Sequence, residues 1–192
     1  MKIKILISLA FFSLAACTDN SSIPLKLKVT GGLIEGSEEG DLKKYLGVPY
    51  AAPPINELRW APTQQLEGWT DVLLAKTNSK ICYQPKQMAE FYDRGPDLDD
   101  MSEDCLTLNV WTRADKSNEK LPVMVWFHGG ALVWGSGSEY SGAELTKQGV
   151  ILVTVNYRLG PFGFFSHPEL SEETGTSGNQ GFKDQIKSLE WV

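Results

Sequence analysis

The chain has 192 residues, enough for one globular domain or for one piece of a larger one. Apolar residues at 42% and charged residues at 22% exclude wholesale disorder, and a net charge of −6 argues against a nucleic-acid-binding surface. Three Cys and two His are too few for a dense metal or disulfide scaffold.

The first residues read as an address. Lys2 and Lys4 precede an apolar run from Ile5 to Ala16, interrupted only by Ser8 and Ser13. That run is too short to span a bilayer, which needs about 20 residues, and it suits the core of a secretory signal. It ends Leu14-Ala15-Ala16-Cys17 and gives way to polar residues. Small residues just before a Cys resemble a bacterial lipoprotein signal, in which that Cys is lipidated and becomes the new N-terminus. Residues 1–16 are then the signal, 17–24 a polar tether, and 25–192 the folded part. The expected location is the bacterial cell envelope, with the membrane as a partner through a lipid on Cys17. An ordinary secretory signal, giving a soluble secreted or periplasmic protein, is the alternative.

Export places the chain where disulfides persist. With Cys17 lipidated, Cys82 and Cys105 remain as an even pair. Two buried thiols are the plain reading; export favours a disulfide. The segment between them carries Glu90, Asp93, Asp97, Asp99, Asp100 and Glu103, too many acids to pack a core by itself.

Leu25 to Val29 alternates apolar and polar, the strand period. Gly31-Gly32 breaks it and Leu33-Ile34 resumes, which predicts a hairpin. Leu42 to Val48 reads as another strand. Residues 58–87 show no clean period and read as mostly loop. Leu106 to Trp111 alternates, as a half-buried strand should. Leu121 to Phe127 and Val150 to Val155 are short apolar runs that suit central strands of a parallel sheet with both faces covered. Ala143 to Gln148 suggests a short helix. Phe182, Ile186 and Leu189 fall at i, i+4 and i+7 and predict one apolar helical stripe.

The chemistry concentrates at His128-Gly129-Gly130-Ala131, directly after an apolar strand. Glycines there let the backbone turn sharply and leave N–H groups free to face a developing oxyanion. An HGGG-type loop after a strand plays that part in lipases and esterases. A plain glycine turn is the alternative for the tetrapeptide alone.

The surroundings carry a resemblance. Glu103-Asp104-Cys105-Leu106-Thr107-Leu108-Asn109-Val110-Trp111 is similar to a signature of the type-B carboxylesterases, the family of cholinesterases and bacterial para-nitrobenzyl esterases. Tyr45 to Ala51 resembles the family's F-L-G-I-P-Y-A, and Leu58-Arg59-Trp60 its L-R-F/W. Asn156-Tyr157-Arg158 resembles N-Y-R, and Phe162 to Phe165 resembles part of G-P-F-G-F-L. Gly178 to Gln185 resembles G-N-x-G-L-x-D-Q. Six segments match in the family's order, from about Gly31 to Val192.

The resemblance implies an α/β-hydrolase fold, of which this chain holds the N-terminal part with an incomplete sheet. It implies hydrolysis of small carboxylic esters. It assigns the oxyanion-hole N–H groups to Gly130 and Ala131, a disulfide to Cys82 and Cys105, and structural ion pairs to Arg59 with Glu103 and Arg158 with Asp184. It also implies that the loop between the two Cys lies over the active-site entrance. Trp134, Phe91 and Tyr92 are candidates to line a substrate gorge there, with ordinary packing as the alternative.

The nucleophile should sit in a G-x-S-x-G elbow. No Ser of the chain has Gly at both −2 and +2; Ser177 comes nearest, with Gly175 before it but Asn179 after it. The acid and His of the triad should come later still. His128 belongs to the oxyanion loop, and His167 reads as a surface turn. No HExxH, CxxC, P-loop or complete GxGxxG occurs, so the sequence makes no case for a metal or nucleotide cofactor. The expectation is an esterase whose first 192 residues are inactive alone. A catalytically silent cholinesterase-like binding protein and an inactive product of a truncated gene are the alternatives.

Overall fold

The computed structural model describes residues 22–87 and 98–192. Cys17, Phe91 and Tyr92 lie outside the described residues, and with them the lipidation site and two of the three gorge candidates.

The predicted hairpin forms as β1 (Lys26–Val29) and β2 (Gly32–Glu35), antiparallel, with Val29 opposite Gly32. Short β3 (Ser37–Glu39) turns back into β4 (Leu42–Pro49). The stretch that follows is mostly loop, as its missing period implied. It contributes two dipeptide strands, β5 (Leu73–Leu74) and β6 (Ile81–Cys82). β5 joins β2 in parallel, and β6 pairs in parallel with β7 (Met101–Ser102).

β8 (Thr107–Thr112), β9 (Val123–Phe127) and β10 (Ile151–Val155) complete a five-stranded sheet in the order β3-β4-β8-β10-β9. The sheet is mixed: β10 is parallel to β9 but antiparallel to β8. β8 lies between two strands, so it is buried over most of its length rather than on alternate residues. Its buried Asn109 is satisfied on both sides, accepting from Gly47 N–H (2.8 Å) and donating to Thr154 Oγ1 (3.3 Å). The Gly47 contact marks a bulge, since the β4/β8 register shifts between Tyr45 and Val48. Gly47 sits there at φ 68°, a value that suits Gly far better than any residue with a Cβ.

β10 is central, as its apolar run predicted. β9 is an edge strand among the described residues, opposite β3, and Val123, Met124 and Trp126 are exposed on it. The run that encodes β9 is as apolar as the one that encodes β10, so local sequence does not separate them. The core lies where β4, β8 and β10 meet the segments around them, with Tyr45, Val48, Tyr50, Leu108, Val155 and Leu159 fully enclosed.

The 143–148 segment forms a 3₁₀ turn (Leu145–Gln148) closed by left-handed Gly149. Three helices end the chain: α1 (Gly160–Phe164), α2 (Pro168–Thr174) and α3 (Gln180–Trp191). α3 forms where the period predicted, but it faces the other way. Phe182, Ile186 and Leu189 are 43%, 57% and 50% exposed, while Gln180, Gly181, Asp184 and Ser188 are buried. Polar anchoring decides the orientation: Gln180 Nε2 donates to Trp60 O, and Asp184 is held by Arg158 and Thr63. No helix among the described residues is long and apolar enough to cross a membrane.

Candidate active site

The loop after β9 is built around three successive residues with positive φ: Gly130 (107°), Ala131 (54°) and Leu132 (64°). For Ala131 and Leu132 this is the left-handed region, which costs roughly 1–2 kcal/mol per non-glycine residue. Strain of that kind persists only where neighbours hold it in place. Here the neighbours are identifiable.

The Gly130 carbonyl accepts from both Val133 N–H (3.0 Å) and Trp134 N–H (3.2 Å). The Leu132 carbonyl accepts from Gly160 N–H (2.8 Å), tying the loop to α1. The Gly129 carbonyl is met by His128 Nδ1 at 2.9 Å. A carbonyl only accepts, so Nδ1 carries the proton. The Gly129 and Gly130 carbonyls are thus engaged within the loop. In a trans peptide the N–H points opposite to the C=O, so the Gly130 and Ala131 N–H groups are turned away from those contacts. Neither is used by another described residue. Ala131 lines an apolar cavity of about 430 Å³, together with Leu132, Val133, Pro161 and Phe164. A second cavity of about 300 Å³ adjoins Val133, Gly160 and Pro161 and reaches Tyr83 and Phe162. Trp134 is half-buried and lines neither cavity.

His128 is 3% exposed and stacked on Tyr157, with ring centroids 4.5 Å apart. Tyr157 donates from its hydroxyl to His128 O (2.8 Å). Burial pushes the His128 imidazole down to about 4, against a smaller upward pull from its Gly129 contact. The ring is therefore neutral at pH 7 and acts as a fixed part of the loop. His167 caps the N-terminus of α2, where its side chain accepts from Glu169 N–H, at the exposed surface.

Three supports escape a reading of sequence motifs for chemistry. Gln84 grips Gly135 at both ends: its Nε2 donates to Gly135 O (3.0 Å) and its Oε1 accepts from Gly135 N–H (2.7 Å). Asn156 Oδ1 accepts from Gly137 N–H (2.8 Å) and Ser136 Oγ (3.1 Å). Tyr157 holds His128, as above. Asn156 and Tyr157 were visible only as letters of a motif, and Gln84 carried no signal.

Cys82 and Cys105 are disulfide-bonded. Arg59 makes a two-point pair with Glu103, Nε to Oε2 and Nη2 to Oε1, both at 2.6 Å. Arg158 pairs with Asp184 inside the protein and also donates to Arg59 O and Ala61 O. Among the described residues, no group of three His, Cys, Asp or Glu is placed to hold a metal ion.

The profile of the carboxylesterase family matches residues 23–192. The chain belongs to the carboxylesterase family. It is 43% identical over 164 residues to the para-nitrobenzyl esterase of Bacillus subtilis, covering 84% of this chain and 32% of that one. It is 38% identical over 182 residues to the fumonisin B1 esterase of Sphingopyxis macrogoltabida, covering 93% of this chain and 32% of that one. A solved PNB esterase superposes with a TM-score of 0.76 at 40% identity, covering 88% of this chain and 34% of the other. The solved Geobacillus stearothermophilus carboxylesterase gives 0.73 at 32% identity, with 88% and 34% covered. These neighbours establish the α/β-hydrolase fold for this carboxylesterase-family chain. It spans about a third of the length of the relatives it matches.

Proposed function

We propose that this chain is the N-terminal part of a serine carboxylic-ester hydrolase and supplies the oxyanion hole of that enzyme. The observation that carries this reading is the pair of unshared N–H groups at Gly130 and Ala131, beside an apolar cavity and turned out by engaged carbonyls. In the reaction, a Ser hydroxyl from the rest of the protein attacks the ester carbonyl carbon and gives its proton to a His. The carbonyl oxygen takes up the electron pair and accepts from Gly130 and Ala131 N–H. Collapse of this intermediate expels the alcohol, which receives the proton, and leaves an acyl-enzyme that water hydrolyses. Preformed donors matter because each is worth about 3–4 kcal/mol to the transition state. The apolar cavity walls favour esters with apolar acyl or alcohol groups. Residues 1–192 hold no G-x-S-x-G elbow and hydrolyse no ester alone.

The test uses the protein translated from the complete reading frame. Hydrolysis of a p-nitrophenyl ester, with one organophosphonate-labelled Ser in a G-x-S-x-G segment, supports the reading. No turnover and no labelled Ser would instead make the protein a silent binding member of the family. The same proposal puts the enzyme on the bacterial envelope by a lipid on Cys17. A Cys17→Ala protein that still partitions with membranes would sink that part.

A further inference from the structure

We infer that Gln84 is a positioning residue for the oxyanion hole, holding the Ala131 N–H on target from outside the loop; this rests on the ester-hydrolase reading proposed above. Gln84 is buried, and its primary amide satisfies both backbone groups of Gly135, 51 positions along the chain. Gly135 has φ 113°, and a Cβ there would strike the His128 ring, so this point of the loop packs directly on the oxyanion segment. The residue before it, Trp134, donates its N–H to the Gly130 carbonyl at 3.2 Å. That carbonyl shares a rigid peptide plane with the Ala131 N–H. A displacement of Gly135 is therefore passed to the Ala131 donor through one residue, one hydrogen bond and one peptide plane.

Gln84 is itself fixed to the sheet. It lies two residues after Cys82, to whose carbonyl it also donates (3.0 Å), and Cys82 is bonded to Cys105 just before β8. The side chain thus bridges the disulfide-anchored segment and a loop whose strained backbone needs outside support. It reaches no oxyanion donor directly. Its effect runs through geometry, and a misplacement of about 1 Å can cost about 100-fold in rate.

The test is made on the full-length protein. Gln84→Met keeps the length and removes all three hydrogen bonds, two to Gly135 and one to Cys82 O. Gln84→Glu keeps the acceptor for Gly135 N–H and loses the donor, and serves if the Met variant does not fold. With a p-nitrophenyl ester, kcat should fall about 100-fold for the Met variant and by less for the Glu variant, with KM within about twofold. A trifluoromethyl ketone, which adds to the active Ser and forms an oxyanion, should lose affinity by the factor lost in kcat. A purely structural role would lower the melting temperature without that matched loss. An active wild type with variants within threefold in kcat, or with unchanged ketone affinity, overturns the role of Gln84 alone. A wild type that neither turns over the ester nor binds the ketone overturns the ester-hydrolase reading itself.

Discussion

Arg158 and Asp184 form a closed fork in the interior: Nε meets Oδ2 and Nη2 meets Oδ1, each at 2.8 Å, with the side chains 2% and 0% exposed. The remaining Arg158 donor positions are also engaged, since Nη1 donates to Arg59 O and Ala61 O. The pair joins the end of β10 to α3 and to the loop after β4. Asp184 also accepts from Thr63 Oγ1 and Arg158 N–H. Asp184→Asn leaves the guanidinium buried without its counter-charge, and the expected loss is about 3–5 kcal/mol. Urea unfolding of the full-length protein measures it. A loss below about 1 kcal/mol would mean that the pair is not an anchor for α3.

The same pair explains why α3 was legible in extent but not in direction. Period alone located Phe182, Ile186 and Leu189 on one face. It carried no information on the competing demand of Asp184 and Gln180, whose buried contacts rotate the opposite face inward. Strand composition likewise reports apolarity, while a strand's place among the described residues depends on partners far away in sequence. The sharp turn at Gly129–Ala131 is legible because its glycines follow a strand, and the two ion pairs follow from family motifs. Gln84 is not, because an amide gripping a glycine 51 residues away leaves no local pattern.

The loop proposed to hold the oxyanion yields a paired prediction. Gly130 has φ 107°, and a Cβ there would collide with the Trp134 carbonyl, so Gly130→Ala must displace the loop. The expected effect on the full-length protein is a kcat loss of about 100-fold with KM little changed. Ala131→Gly keeps the N–H and relieves a left-handed residue. Its kcat should stay within about threefold of wild type. Steady-state kinetics on a p-nitrophenyl ester checks both. Equal losses from the two substitutions would rule out the assigned backbone geometry.

The disulfide ties Cys82 to Cys105 across the acid-rich segment. Joint replacement by Ser frees the unfolded chain and should remove about 3 kcal/mol of stability. Thermal melts of the full-length protein with and without reductant give the readout. The reduced wild type and the double variant should melt together, below the oxidised wild type. Because Gln84 hangs from the same anchor, the double variant should also lose kcat beyond any loss of folded protein. Active-site titration separates the two.

His128 gives a pH prediction of defined sign. Burial holds the folded imidazole near 4, against an ordinary value of 6.5. As pH falls below about 6.5 the unfolded chain takes up a proton that the folded chain refuses until about 4. The unfolded state then binds more protons, so stability falls as pH drops through this window and is flat above it. The full difference approaches about 3 kcal/mol at the acid end. Carboxylates titrate mostly below pH 5, so the interval from pH 6.5 to 5 isolates the imidazole. Urea unfolding of full-length wild type should show the slope there, and His128→Gln should lack it. Parallel slopes in the two proteins would mean that the ring is accessible to protons in the folded state, contrary to its stacking on Tyr157 beneath the oxyanion loop.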